Sequence, residues 1–183
     1  MRRKKAARGR APGQALVLVA VMLPVLMAFV LLVVEVAERW MQVATLEDAL
    51  QQATRSAVQT MDYAAFARNA TGLRATTACA QVRRADAAAA ACRAVIDQAS
   101  AYFRANLRGV RGLAEDPEAL ADRVTWTVLP TGGTCSYSST QVRPVTEATP
   151  LLCAEVRPVM QGIVGWGRFT PLIVAGETLE PIR

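Results

Sequence analysis

Residues 14–34 read QALVLVAVMLPVLMAFVLLVV, 21 positions without a charged side chain, and Glu35 closes the run. At 1.5 Å per residue a helix of that length is about 31 Å long, matching the roughly 30 Å hydrocarbon core of a bilayer. The stretch can therefore cross a membrane once. A cleaved secretory signal has a shorter apolar region, about 7 to 15 residues, followed by a small-x-small site. Here Phe29 to Val34 run straight into Glu35, which favours an anchor over a discarded signal. A buried core helix of this length would carry a polar flank, and none is present. Before the run stand Arg2, Arg3, Lys4, Lys5, Arg8 and Arg10 with no acid among them. The positive-inside rule keeps this basic leader, residues 1–13, in the cytoplasm and places Glu35 to Arg183 outside the inner membrane.

The leader also accounts for the net charge of +6: the other 15 basic residues, all arginine, match the 15 acids. A nucleic-acid binder spreads its cations over a folded face, where they displace counterions from phosphates; here the charge is a tag at one end, so no nucleic-acid partner is expected. The chain has 183 residues, which bounds it to one modest domain beside the span. It has no histidine, which removes the commonest general base and zinc ligand.

Helical periodicity continues past the span. Val36, Trp40, Val43, Leu46, Leu50, Ala53, Ala57 and Met61 recur at steps of three and four, with Glu38, Arg39, Glu47, Asp48, Gln51, Gln52 and Arg55 on the other side. One long helix is predicted over residues 14–61. Trp40 suits either the membrane interface or packing against the domain. In the extracytoplasmic region, residues 62–183, the part up to residue 122 is alanine-rich and mostly helical in pattern, with a break at Asn69 to Gly72. Asp86 is placed to cap a second helix reaching about Leu107, with Cys92, Val95, Ile96, Ala99, Tyr102, Phe103 and Leu107 as its apolar stripe and Gly109 and Gly112 ending it. From Asp122 the period becomes two: Val124, Trp126 and Val128 alternate with threonines and stop at Pro130. A polar loop fills 131–150, and residues 151–156 and 169–174 supply two more strands, with Pro158 and Pro171 pointing to edges or bulges. The predicted fold is α+β: a long N-terminal transmembrane helix, a second helix and a small antiparallel sheet.

Four cysteines in an exported segment make two bridges in an oxidising compartment. Three connectivities are possible, and the pairs nearest in sequence are Cys79 with Cys92 and Cys135 with Cys153. A four-cysteine zinc site lacks the C-x2-C pairs it would use. No nucleophile elbow, P-loop, zincin or dinucleotide-binding pattern occurs. The acids Glu115, Asp116, Glu118 and Asp122 form the densest carboxylate group, yet Asp116-Pro117-Glu118 reads as a helix start with Asp116 as cap and Pro117 in first place. The glycine-rich stretch Gly162 to Gly167, which holds Trp166, reads as a turn in the sheet rather than a phosphate cradle, with presentation of that aromatic to a partner as the alternative. Neither catalysis nor a cofactor is expected.

Gly13-Gln14-Ala15-Leu16 after a basic leader, Pro24 about halfway along the apolar helix and Glu35 at its end resemble the N-terminus of the TadE/TadG-like pilus-assembly family, pseudopilin-like proteins of the tight-adherence (Flp) branch of type IV pilus systems. The likeness covers residues 8–60. It implies a pilin-like fold, cleavage by a prepilin peptidase between Gly13 and Gln14, and helix packing that involves the positions of Leu18, Pro24 and Glu35. It also implies the inner membrane and other pilin or pilus-assembly subunits as partners. Processed members carry glutamate where this chain has Leu18, a departure that keeps open a second reading, an unprocessed single-pass extracytoplasmic scaffold or binding protein.

Overall fold

The computed structural model describes residues 12–60, 62, 72–162 and 167–179. Helix α1, Pro12–Val58, is a single continuous helix that passes through Pro24 and carries both the apolar run and the first element of the domain. The prediction of 14–61 differs at its end: the helix stops at Val58, and Met61 lies outside the described residues. Every residue from Leu16 to Val34 is exposed, as a segment built for a hydrocarbon solvent should be, and burial begins abruptly at Glu35.

Beyond that point α1 packs on helix α2, Arg93–Leu107, and on a four-stranded antiparallel sheet. The sheet consists of β1 (Cys79–Arg83), β2 (Thr125–Leu129), β5 (Leu151–Val156) and β8 (Ile173–Thr178), in that order. Short hairpins β3–β4 (Gly133–Cys135 with Val145–Glu147) and β6–β7 (Met160–Gln161 with Arg168–Phe169) are set apart from it. Leu46, Leu50, Ala53 and Ala57 of α1, Val95, Ile96, Ala99 and Phe103 of α2, and Trp126, Val128, Leu152, Ala154, Ile173 and Ala175 of the sheet form one core. Alternation on the pleat sends Leu151 and Cys153 to the opposite face, where Cys135, Tyr137 and Val145 of the β3–β4 region cover them. Gly176 lets that cover close, since a Cβ there would stand 3.1 Å from the Tyr137 hydroxyl.

Several expectations are corrected. The region up to residue 122 contains the edge strand β1, which the alanine-rich pattern did not reveal. Asp86 does not cap α2: its carboxylate accepts the Arg83 N–H at 2.7 Å, and a 3-10 turn, Ala87–Cys92, precedes the α-helix. Leu107 ends α2 without the help of a left-handed glycine, because only Gly112 of the two expected terminators has positive φ, +74°. The expected strand at 169–174 is divided, since Pro171 separates β7 from β8. The polar loop 131–150 contains the β3–β4 hairpin. Pro158 lies between β5 and β6, outside any ladder. The expected break at Asn69 to Thr71 lies outside the described residues.

Both disulfides take the pairing of nearest neighbours, Cys79–Cys92 and Cys135–Cys153. Each closes a short loop, worth about 3 kcal/mol in the chain-entropy account. Their work is spatially distinct: the first ties edge strand β1 to the start of α2, the second ties the β3–β4 cover to central strand β5. Replacing Cys135 and Cys153 together by serine should raise amide exchange across 133–147 while α2 stays protected. The Cys79→Ser/Cys92→Ser pair should instead release β1 and the first turn of α2. Hydrogen exchange on the full chain in detergent distinguishes the two patterns, and equal loosening everywhere would refute the division.

Candidate functional site

The residues singled out in the apolar helix are spread along it. Gly13 and Gln14 lie in the first turn of α1, with side chains outside the described set. Leu18 is exposed, Pro24 is exposed within the helix, and Glu35 is 2% exposed. The described residues of the span, Leu16 to Val34, all stand exposed, and the structure brings side chains together where it ends.

At that exit the predicted stripe is corrected. Val36 and Trp40 face outward, Trp40 at 76% exposure, while Glu35 and Gln42 occupy the buried face in line with Leu46, Ala49, Leu50 and Ala53. A polar pair thus takes the first two core positions of α1. Glu35 accepts from Arg39 Nε at 2.9 Å, one turn further along the helix. The Arg39 guanidinium lies 5.0 Å from the centre of the Phe169 ring on β7, a cation–π contact. The Glu35 carboxylate rests on the bare Cα of Gly162, where an added Cβ would collide with it. A carboxylate removed from water costs several kcal/mol, which an adjacent cation and hydrogen bonds offset.

Gln42 repeats the pattern one heptad later. Its Nε2 donates to the Gln161 carbonyl at 3.5 Å, and its amide lies flat on Gly112, which needs the absence of a Cβ for both contact and backbone conformation. The Gln161 N–H donates to the Gly112 carbonyl at 2.7 Å, Leu113 bridges Met160, and the Ala114 N–H reaches the Val159 carbonyl at 2.8 Å. Together the segment 112–114 and the β6–β7 hairpin form a collar around α1 at the point where it leaves the apolar span.

The acid group 115–122 is consumed by structure. Glu115 pairs with Arg123 and accepts the Val159 N–H at 2.6 Å, which fastens the collar to the domain. Asp116 caps helix α3, Pro117–Asp122, by accepting the Ala119 N–H at 3.0 Å, as the Asp-Pro-Glu pattern implied. Asp122 stands 3.6 Å from Arg84 and 3.7 Å from Arg104. The Asp97 carboxylate, 2.8 Å from Arg84, raises the pKa of that guanidinium further. Among the described residues no group of three or more candidate ligands could hold a metal ion. Trp166, the aromatic of the expected turn, lies outside the described residues.

Sequence reasoning missed Gln42, Gly112, Gly162 and Phe169 as parts of one site. The usable signal was the i, i+7 placement of Glu35 and Gln42 on the stripe that continues as Leu46, Ala49 and Ala53. Family models, curated proteins and solved structures give no match to this chain. Fold and site together define an α+β domain that carries two disulfides and one N-terminal helix long and apolar enough to span a membrane.

Overpacking of a close contact costs about 1 to 3 kcal/mol. Gly162→Ala should destabilise the full chain in detergent by that amount and speed tryptic cleavage after Arg168. Gly109→Ala is the control, because a Cβ there meets only the Asn106 carbonyl oxygen at 3.8 Å. Equal behaviour of the two variants in unfolding and proteolysis would show that the collar does not grip Glu35.

Proposed function

We propose that the chain is a pilin-like or minor pilin/pseudopilin subunit of a Tad/Flp-type type IV pilus, held in the inner membrane and assembled through α1, with its domain on the extracytoplasmic side. The observation that carries this reading is the division of α1. One uninterrupted helix, Pro12–Val58, leaves Leu16 to Val34 exposed among the described residues and builds its second half into the domain core. An apolar helix with small and aliphatic side chains can be stored in lipid and later packed against like helices. Leader, Gly13, Pro24 and Glu35 supply the sequence side of the argument. The role is structural, through helix packing with other subunits, and prepilin peptidase is the processing partner.

Leu18 favours a second reading, an unprocessed single-pass scaffold or binding protein that stays in the bilayer. The two differ in the covalent state of the N-terminus. N-terminal sequencing and intact mass of the protein from membranes, and separately from sheared surface material, decide between them. The pilin reading expects a chain beginning at Gln14 in the sheared fraction, and expects Gly13→Leu to block maturation while leaving membrane insertion intact. A chain that starts at Met1 and occurs only in membranes would select the scaffold.

A further inference from the structure

The collar leaves a cleft of about 310 Å³ beside α1, lined by Glu38, Gln42, Arg111, Gly112, Gln161 and Gly162. With Val34 as the last residue of the apolar run, Glu38 stands about 6 Å and Gln42 about 12 Å further along the helix axis. The headgroup layer reaches about 5 to 7 Å beyond the hydrocarbon, which puts Glu38 at headgroup height and Gln42 at the roof of the cleft. Because α1 enters the domain with no intervening linker, the cleft is held at that height by the helix itself.

Its lining carries both signs of charge. Glu38 is half-buried and Arg111 exposed, and among the described residues neither forms an ion pair, although they line the same cleft. Gln42 is 4% exposed, and its buried Oε1 has no hydrogen-bond partner among the described residues. That oxygen is enclosed against Gly112, so a ligand in the cleft meets the charged side chains and not the amide oxygen. Glu38 and Arg111 ask for one ligand that presents an anion to a guanidinium and an N–H-bearing cation to a carboxylate.

We propose that this cleft binds the headgroup of an ethanolamine phospholipid in the extracytoplasmic leaflet, with Arg111 on the phosphate and Glu38 on the ammonium. A choline headgroup has the same charges but no N–H, so it leaves the carboxylate without its donor. An anionic glycerol headgroup satisfies Arg111 but presents neutral hydroxyls in place of a cation to Glu38. The inference rests on α1 being anchored in a bilayer, not on processing or fibre assembly, so an unprocessed chain is expected to bind equally well.

The test is native mass spectrometry of the full chain released from nanodiscs containing equal amounts of ethanolamine, choline and glycerol phospholipids with identical acyl chains. The expected result is about tenfold enrichment of the ethanolamine lipid over the choline lipid, the discrimination that one charge-assisted hydrogen bond supplies. Glu38→Gln and Arg111→Gln should each abolish most of that enrichment, while Arg108→Gln, at an exposed position outside the cleft, should keep it. A second series needs no variant: retention of the mono-, di- and trimethylated ethanolamine lipids should fall stepwise as N–H donors are lost. Composition equal to the bulk, enrichment of the glycerol lipid over both zwitterions, or retention indifferent to methylation would each overturn the proposal.

Discussion

One helix has to satisfy two solvents. From Ala15 to Val34, α1 offers only apolar side chains, which lipid accepts and water does not; from Glu35 it must hold a domain whose core it supplies. Because the helix satisfies its own backbone hydrogen bonds in both environments, no break is needed at the boundary, and none occurs between Pro12 and Val58. The domain is therefore fixed in height relative to the apolar run by the rise of the helix and in facing by its rotation. The collar follows from that constraint. A half-wrapped helix at a membrane surface needs polar contacts that tolerate a mixed environment, and Glu35 and Gln42 provide them against the glycine backbones of 162 and 112.

The rest of the domain is organised to make a thin core sufficient. Aromatics are 5% of the chain, and the alanines Ala53, Ala57, Ala99, Ala154 and Ala175 sit at the contacts between α1, α2 and the sheet. Small side chains allow close approach but bury little area each, so Trp126 and Phe103, both fully buried, fill much of the volume. The disulfides then secure the periphery: one pins edge strand β1, whose Cys79 and Val82 join the core, to the start of α2, and the other pins the cover over the sheet's far face.

How far the sequence revealed this depended on whether a feature was local. The apolar run, the Asp116 cap, the strand at 151–156 and the disulfide pairs are encoded within about twenty residues, and each was legible. Strand β1 was not, because its register shifts between Cys79 and Val82, and Gln81 at the irregularity has φ of 50°. The bulge puts two core-facing residues three apart, a helical spacing in a strand. The first turns of α1 beyond the span misled for another reason. Val36 and Trp40 are the more hydrophobic residues, yet they face outward next to the bilayer while Glu35 and Gln42 turn inward to the collar. Hydrophobic periodicity assumes that the outside is water, and at a membrane surface that assumption fails. The collar itself joins residues more than a hundred positions apart, Gln42 and Gln161 among them, a pairing that no local pattern contains.

Under the proposed pilin-like role, the inward turn of Glu35 bears on how the chain can assemble. A carboxylate engaged by Arg39 and seated on Gly162 is committed within its own chain, so it is poorly suited to docking a neighbour as well. With Leu18 in place of an acid near the start of the helix, of the two positions where an acid would recognise an incoming subunit one lacks it and the other is occupied. Recognition along α1 then falls to shape and apolar contact, on the outward stripe of Val36, Ala37, Trp40, Met41 and Ala44 that continues the lipid-facing surface above the membrane boundary. Such contacts discriminate partners less sharply than a buried ion pair does. A chain using them would take its place among subunits chiefly through the height and facing at which the collar holds its domain.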